Sequence, residues 1–246
     1  MAYPRVVVWY SDGAASAVAA KLAVEKYGDR CEVVKCDTTD DEHPDNLRFR
    51  GEVEAWISKG VTLIKSEKYN GVDEVFERRR FMVSVAGAIC TTEMKKVVRY
   101  AYQRTDDIHV FGYTADEHRR INTFGENNPE LVCDWILRDQ FIRKEDCYRV
   151  LRAAGIDLPV MYSLGFDHNN CLGCVKATSP AYWNRTRRLF PEVYARRARQ
   201  SREIGARLVR VKGKRIFLDE LSPDAGLGEG DGDIECGPFC EMDLTQ

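Results

Sequence analysis

Residues 6–20 read VVVWYSDGAASAVAA: an apolar run, a turn of small and polar residues, then an alanine-rich stretch at helical spacing. A strand that enters a helix through so short a bend leaves the first helical N–H groups without intrahelical acceptors. Those amides and the helix dipole converge on one point, where a phosphate is stabilised. A generic strand-to-helix turn of an α/β domain is the competing reading, and other segments have to choose between the two.

Apolar runs at 6–9, 32–35, 61–64 and 108–111 have the length of short buried strands, and helical patterns at 46–59 and 92–102 alternate with them. The alternation predicts an α/β fold, a parallel sheet wound with helices. Ligands of such sheets collect at the carboxyl ends of the strands. There SDGAAS, the polar stretch 37–41 and the stretch 112–120 are all expected to emerge. Further along, helical spacing recurs at 144–154 and 191–206. The RLVRV and RIFLDEL stretches around a KGK turn predict a hairpin. A Gly- and Asp-rich stretch at 222–233 reads as a linker to a mobile tail that carries ECGPFC. The expected division is a nucleotide-binding α/β domain at 1–165 and a cysteine-containing segment with a basic helix, hairpin and acidic tail at 166–246.

A chain of 246 residues with 44% hydrophobic and 31% charged residues is ordinary for a globular protein, and its net charge of -2 favours no polyanionic partner globally. No apolar run nears the roughly 20 residues of a membrane span and no leader-like start occurs, so a cytoplasmic protein with no membrane partner is expected. Without a secretion signal, nine cysteines point to metal, redox chemistry and burial rather than to a disulfide framework. Cys31, Cys36, Cys133 and Cys147 sit in apolar patterns and are expected in the core. Cys90, Cys171, Cys174, Cys236 and Cys240 remain for chemistry.

SDGAAS, CDTTDDEHPDN, CTTEMK, GYTADEHRR, MYSLGFDHNNCLGC and the ECG at 235–237, in that order along the chain, resemble segments of the phosphoadenylyl-sulfate (PAPS) reductase-like branch of the PP-loop ATP pyrophosphatase superfamily. SDGAAS resembles the SGGxDS pyrophosphate loop: Ser11, Gly13 and Ser16 match, Asp12 replaces the first glycine and Ala15 the loop aspartate. Loops with alanine at that place resemble those of phage-borne relatives, for which the host cytoplasm is the expected compartment. The stretch CDTTDDEHPDN resembles the family's segment after its second strand, which makes Asp37 the candidate nucleotide contact; a solvated turn before the next helix is the alternative. GYTADEHRR, from Gly112, resembles GxRxxExxR: Glu117 and Arg120 match, and Thr114 stands where an arginine is usual. An arginine there grips a phosphate or sulfate through paired donors and a carboxylate positions it; an exposed Glu–Arg pair of little energetic consequence is the alternative.

CTTEMK, from Cys90, and MYSLGFDHNNCLGC resemble the cysteine segments of the family's iron–sulfur members. The resemblance implies a [4Fe–4S] cluster on Cys90, Cys171 and Cys174, with Cys240 or Cys236 as a fourth ligand. A zinc site on the same residues and a redox dithiol at CLGC remain alternatives. The sequence Glu235-Cys236-Gly237 resembles the reductase's terminal ECG, which implies Cys236 as the nucleophile toward sulfur, reduced afterwards by a thioredoxin-like partner.

The resemblance as a whole implies an adenine-nucleotide α-hydrolase-like fold. It further implies sulfur redox chemistry on adenylyl or phosphoadenylyl sulfate, with residues 11–16 (Ser11, Asp12, Gly13, Ala14, Ala15, Ser16) and Gly112 around the phosphates, and Lys95 and Arg120 on anionic groups. The second reading is an ATP- and Mg-dependent enzyme that thiolates or otherwise modifies a nucleic-acid base. It engages the polynucleotide through the arginine-rich stretch 185–215, whose alternative is a solvated face balanced by the acidic tail. A nucleotide-binding module without catalysis is the third, and a homodimer is the expected assembly.

Overall fold

In a computed structural model the protein is described over residues 3–169, 171–228 and 230. Cys236 and Cys240, the expected nucleophile and fourth ligand, lie outside the described residues, as does the tail that carries them. In chain order the strands are β1 (Val6–Trp9), β2 (Cys31–Cys36), β3 (Val61–Ile64), β4 (Val83–Ser84), β5 (Gly87–Ala88), β6 (Ile108–Phe111), β7 (Val132–Asp134), β8 (Val209–Val211) and β9 (Lys214–Ile216). The helices are α1 (Ala14–Tyr27), α2 (Asp45–Ile57), α3 (Val72–Arg79), α4 (Ile89–Thr91), α5 (Val97–Tyr102), α6 (His118–Asn127), α7 (Ile136–Asp139), α8 (Lys144–Ala153), α9 (Val160–Ser163), α10 (Pro180–Leu189) and α11 (Pro191–Ile204).

The chain forms two compact units, each assembled from separate stretches. The first takes its described residues from 1–37, 44–65 and 98–163, the second from 38–43, 66–97 and 164–246. The expected division into 1–165 and 166–246 is linear, whereas these units are not: residues 66–97 join the C-terminal segment.

The first unit is an α/β fold around a five-stranded parallel sheet of order β3-β2-β1-β6-β7. The three valines of β1 have no exposure because the central strand of a wound sheet is covered on both faces. Helix α1 packs against β1, β2 and β6 on one side and against α2 and α8 on the other. Its alanines permit that close packing; Ala17, Ala19, Ala20 and Ala23 are all fully buried. Strand β3 differs from the expected buried strand. As the sheet's edge it pairs only with β2, and Leu63 is 40% exposed.

Strand β7 was not legible as an apolar run, since its three residues, VCD, end in an aspartate and begin on an exposed valine. Cys31, Cys36 and Cys147 are buried as expected, while Cys133 on β7 is only half-buried. Burial pushes the Cys31 thiol up to about 11 and those of Cys133 and Cys147 up to about 12, which keeps them protonated and inert.

The second unit carries two short antiparallel hairpins, β4–β5 and β8–β9, with α3, α10 and α11. The hairpin at 209–216 was expected. Helix α10 was not, although Ser179 caps it by accepting the Ala181 N–H and Pro180 opens it. The expected helix at 92–102 begins earlier, at Ile89, and widens into a π-helical turn over Thr92–Lys96 before α5. No helix among the described residues is long and apolar enough to cross a membrane.

Candidate nucleotide site at the β1–α1 bend

The chain runs outward from β1 to β2 and β3, then returns to the far side of β1 for β6 and β7. The carboxyl ends of β1 and β6 therefore flank the sheet's topological switch point, where parallel sheets bind ligands. SDGAAS leaves β1 there and GYTADEHRR leaves β6 there. The two segments touch: a Cβ built on Gly112 would lie 2.7 Å from the Ser16 nitrogen and 2.8 Å from its Cα. Only glycine lets the end of β6 come this close to the first turn of α1.

The bend is braced from within. Ser16 Oγ accepts from the Ser11 N–H at 3.2 Å and from Ser11 Oγ at 3.1 Å, and donates to the Gly13 carbonyl at 2.9 Å. Gly13 is the N-cap of α1, makes no side-chain cap bond, and no acidic residue follows in the first turn. The Ser16 hydroxyl is spent on bracing the bend, so the first turn of α1 turns amides rather than side-chain functions outward. The Ala14 N–H is taken by the hydroxyl of Tyr162, whose pKa burial pushes up to about 12 against the pull of that amide. Tyr148 packs on Tyr162 with ring centroids 5.4 Å apart, and Lys144 Nζ stands 6.0 Å from both rings.

Asp12 occupies the left-handed region at φ +55°, which aspartate tolerates better than most residues and which glycine fills freely. That backbone explains how aspartate stands where the resemblance has glycine. Its carboxylate does not face a ligand. It is fully buried and receives Arg50 Nε at 3.0 Å and Nη2 at 2.6 Å, from α2, with Lys35 Nζ from β2 at 2.9 Å. Burial pushes the carboxyl up, but the Arg50 bonds and the Lys35 charge outweigh it and hold the group below its ordinary value. Asp12 therefore anchors the bend from beneath. Lys35 and Arg50 escaped the sequence reading, although a lysine inside CEVVKC was itself a signal that a carboxylate must meet it.

At the end of β6, the Thr114 N–H donates to Glu117 Oε2 at 2.8 Å and the Thr114 hydroxyl lies 2.6 Å from the Asp116 carboxylate. Glu117 pairs with Arg120, whose guanidinium also lies 4.7 Å above the Tyr113 ring. The carboxylate and the ring fix the orientation of Arg120 in the first turn of α6. Thr114 tethers that carboxylate through its N–H and hydroxyl. Asp37, just beyond β2, is paired with Lys65 at 3.3 Å.

No protein-family model matches this sequence, and no curated protein sequence matches it.

The remaining candidates belong to the second unit. Cys90 lies in α4 and is half-buried; Lys95 lies in the π-helical turn and is half-buried. Cys171 and Cys174 share one turn, the first half-buried and the second buried. Gly173 between them has φ +66°, and a Cβ there would meet Val193 Cγ1 at 2.8 Å. The Cys174 N–H donates to Tyr182 Oη at 2.8 Å, and the Gly173 carbonyl accepts from Arg197 Nε at 3.2 Å. Arg197 is buried and pairs with Asp73. Among the described residues, no three His, Cys, Asp or Glu side chains form a group able to hold a metal ion. CLGC supplies a pair of thiols, which falls short of the four ligands of a cluster or structural zinc.

The arginine-rich stretch 185–215 is divided. Arg187, Arg196, Arg197 and Arg202 are bound internally, to carbonyl oxygens, to Asp73, and to Asp219 and Glu220. Arg207, Arg210, Lys212, Lys214 and Arg215, on or beside the β8–β9 hairpin, are exposed.

Proposed function

We propose that the chain is an enzyme of PAPS reductase-like type whose adenine nucleotide places its phosphates at the β1–α1 bend. The observation that carries this reading is the close approach of Gly112 to the backbone of Ser16 at the sheet's switch point. It joins the two segments that the resemblance assigns to phosphate and sulfate. The amides of Ala15 and Ser16 lack intrahelical acceptors and favour an anion, and Arg120, steadied by Glu117 and Tyr113, offers a second grip.

In this reading the Cys236 thiolate attacks the sulfur of adenylyl or phosphoadenylyl sulfate. A Cys–S bond forms, the bond from sulfur to the bridging phosphate oxygen breaks, and the nucleotide leaves with that oxygen. A thioredoxin-like dithiol then supplies two electrons, releases sulfite and restores Cys236 while becoming a disulfide. Lys95 is proposed as a further anion-binding group. A cluster, or zinc, on Cys90, Cys171 and Cys174 would need these three brought together with a ligand beyond the described residues; among the described residues they form no metal-holding group.

Incubation of the full chain with phosphoadenylyl sulfate and reduced thioredoxin is expected to release sulfite, and Cys236→Ser is expected to abolish the release. Sulfite release that persists in Cys236→Ser removes the nucleophile from the proposal. A second reading, ATP-dependent modification of a nucleic-acid base, is favoured by the exposed cations of the β8–β9 hairpin. ATP-dependent pyrophosphate release stimulated by a polynucleotide, without sulfite, decides for it. Neither product, with nucleotide still bound, leaves a binding module.

A further inference from the structure

The β8–β9 hairpin keeps its cations against its own stability. Residues 207–216 read RLVRVKGKRI: five are Arg or Lys and none is acidic. Arg207, Arg210, Lys212, Lys214 and Arg215 are all exposed. The register sets Arg210 directly opposite Arg215 across the two strands, and like charges so paired destabilise a sheet. In the connecting turn Lys212 has φ +46° and Gly213 φ +80°, the two positive angles of a type I′ turn. Glycine adopts the first of these freely, whereas lysine is strained there.

Neutral groups hold these cations and leave their charge in place. The Arg207 guanidinium lies 5.2 Å from the centre of the Phe217 ring, and Arg215 Nη1 donates to the Leu208 carbonyl at 2.9 Å. The acids that follow in sequence, Asp219 and Glu220, pair with Arg202 instead. An opposed charge pair and a strained lysine in one exposed hairpin are costs that neutral residues or glycine would remove, and a merely solvated face needs neither. The surface also narrows the partner. No large apolar side chain is exposed within 207–217, whereas the interface with a protein partner has an apolar centre. A polynucleotide backbone asks only for repeated cations, which arginine forks and lysine point charges supply to its phosphates.

We propose that the β8–β9 hairpin is a contact surface for the phosphate backbone of a polynucleotide, with Arg210, Lys212 and Lys214 on its phosphates. This takes up the surface that favours the base-modification reading and needs none of its chemistry. The hairpin lies within the second unit, and binding is measured without ATP or a sulfate donor, so its failure is a separate result from the failure of either reaction.

Fluorescence anisotropy on the full chain tests it, with labelled single-stranded DNA, duplex DNA and RNA of mixed sequence over a salt series. Wild type is expected to bind at low salt and to lose affinity steeply as salt rises, and the tightest of the three arms identifies the polynucleotide. Arg210→Thr/Lys212→Gly removes two cations together with the opposed charge and the strained turn residue. It is expected to bind about tenfold or more weakly, with a salt slope shallower by about 2, while its urea midpoint lies at or above that of wild type. Arg120→Gln, at the β1–α1 bend, is expected to bind the oligonucleotides as wild type does, which separates the hairpin from the phosphate site proposed there. If the double variant is less stable than wild type, Lys214→Gln decides: weaker binding with a shallower slope supports the hairpin, and unchanged binding overturns it. The proposal is also overturned if no oligonucleotide binds at low salt, if the stable double variant binds as wild type does, or if Arg120→Gln abolishes binding. Polyglutamate binding as tightly as the oligonucleotides overturns it in favour of an acidic protein partner.

Discussion

Two turns in this molecule are fastened from below by a buried charge, and they do opposite things with their amides. In the β1–α1 bend, Asp12 turns its carboxylate inward to Arg50 and Lys35, and the N–H groups of Ala15 and Ser16 stay at the helix end with no intrahelical acceptor. In CLGC, Arg197 holds the Gly173 carbonyl and Tyr182 takes the Cys174 N–H. The first turn is anchored and, in the proposed reading, presents its amides to an anion. The second spends its Cys174 amide and its Gly173 carbonyl on its own support. Anchoring alone therefore does not mark a ligand site; what the anchor leaves unsatisfied does.

The largest expected effect comes from removing the first anchor. Asp12→Asn keeps the side chain's shape and its tolerance of φ +55° but strands Lys35 and Arg50, both nearly fully buried, without a counter-charge. Breaking such a buried pair costs about 3–5 kcal/mol. Urea denaturation should show the loss directly, and an unchanged midpoint would mean that the bend does not depend on this ion cluster. Next comes Gly173→Ala. A left-handed alanine with its Cβ 2.8 Å from Val193 Cγ1 carries backbone strain and overpacking together, about 2–4 kcal/mol. The same change at Gly13, with φ -102° and nothing nearer than 3.6 Å, is expected to cost under about 1 kcal/mol. The glycines of the two turns thus separate: equal losses from Gly13→Ala and Gly173→Ala would erase the distinction between an open turn and a spent one.

Much of the first turn was legible because its signal is local. The apolar run, the small residues and the alanine-rich helix dictate strand, bend and helix with no help from distant segments, and the switch-point placement follows from the β/α alternation. Its anchor was not legible in the same way. Asp12 reads as a loop residue among loop residues, and only the fold brings Arg50, on α2, onto both of its carboxylate oxygens. Tyr162 was hidden for the same reason: nothing in MYSLGF says that its hydroxyl will take an amide at position 14. In the second unit the arginines misled by number. Arg197 belongs to a run that reads as solvated or nucleic-acid-binding, yet it is buried on Asp73 because α11 turns it toward α3. Charge density in sequence counts such residues; it does not say which of them the core has taken.

The smallest effect concerns a second aspartate, and it has the opposite sign. Asp41 accepts the Val72 N–H at 3.1 Å with its carboxylate, and its main-chain carbonyl accepts the Leu172 N–H at 2.8 Å at the edge of CLGC. Burial, only partly offset by that amide and by Arg197, raises its pKa above the ordinary value, whereas the pKa of Asp12 is lowered. A lowered carboxyl stabilises the fold above its unfolded pKa of about 3.9, and that contribution is lost as pH falls through the folded value. A raised carboxyl does the reverse: its ionised form is a burden at neutral pH, relieved as pH falls through the folded pKa toward the unfolded one. Asp41→Asn keeps an oxygen for the Val72 amide and removes that burden. At pH 7 it should therefore unfold at or slightly above the wild-type urea midpoint, with any gain shrinking toward pH 4, while Asp12→Asn is damaging at pH 7 and converges on wild type only in stronger acid. If Asp41→Asn instead loses stability at pH 7 as Asp12→Asn does, the carboxylate beside CLGC is held by a counter-charge as firm as Arg50, and the two turns are fastened alike.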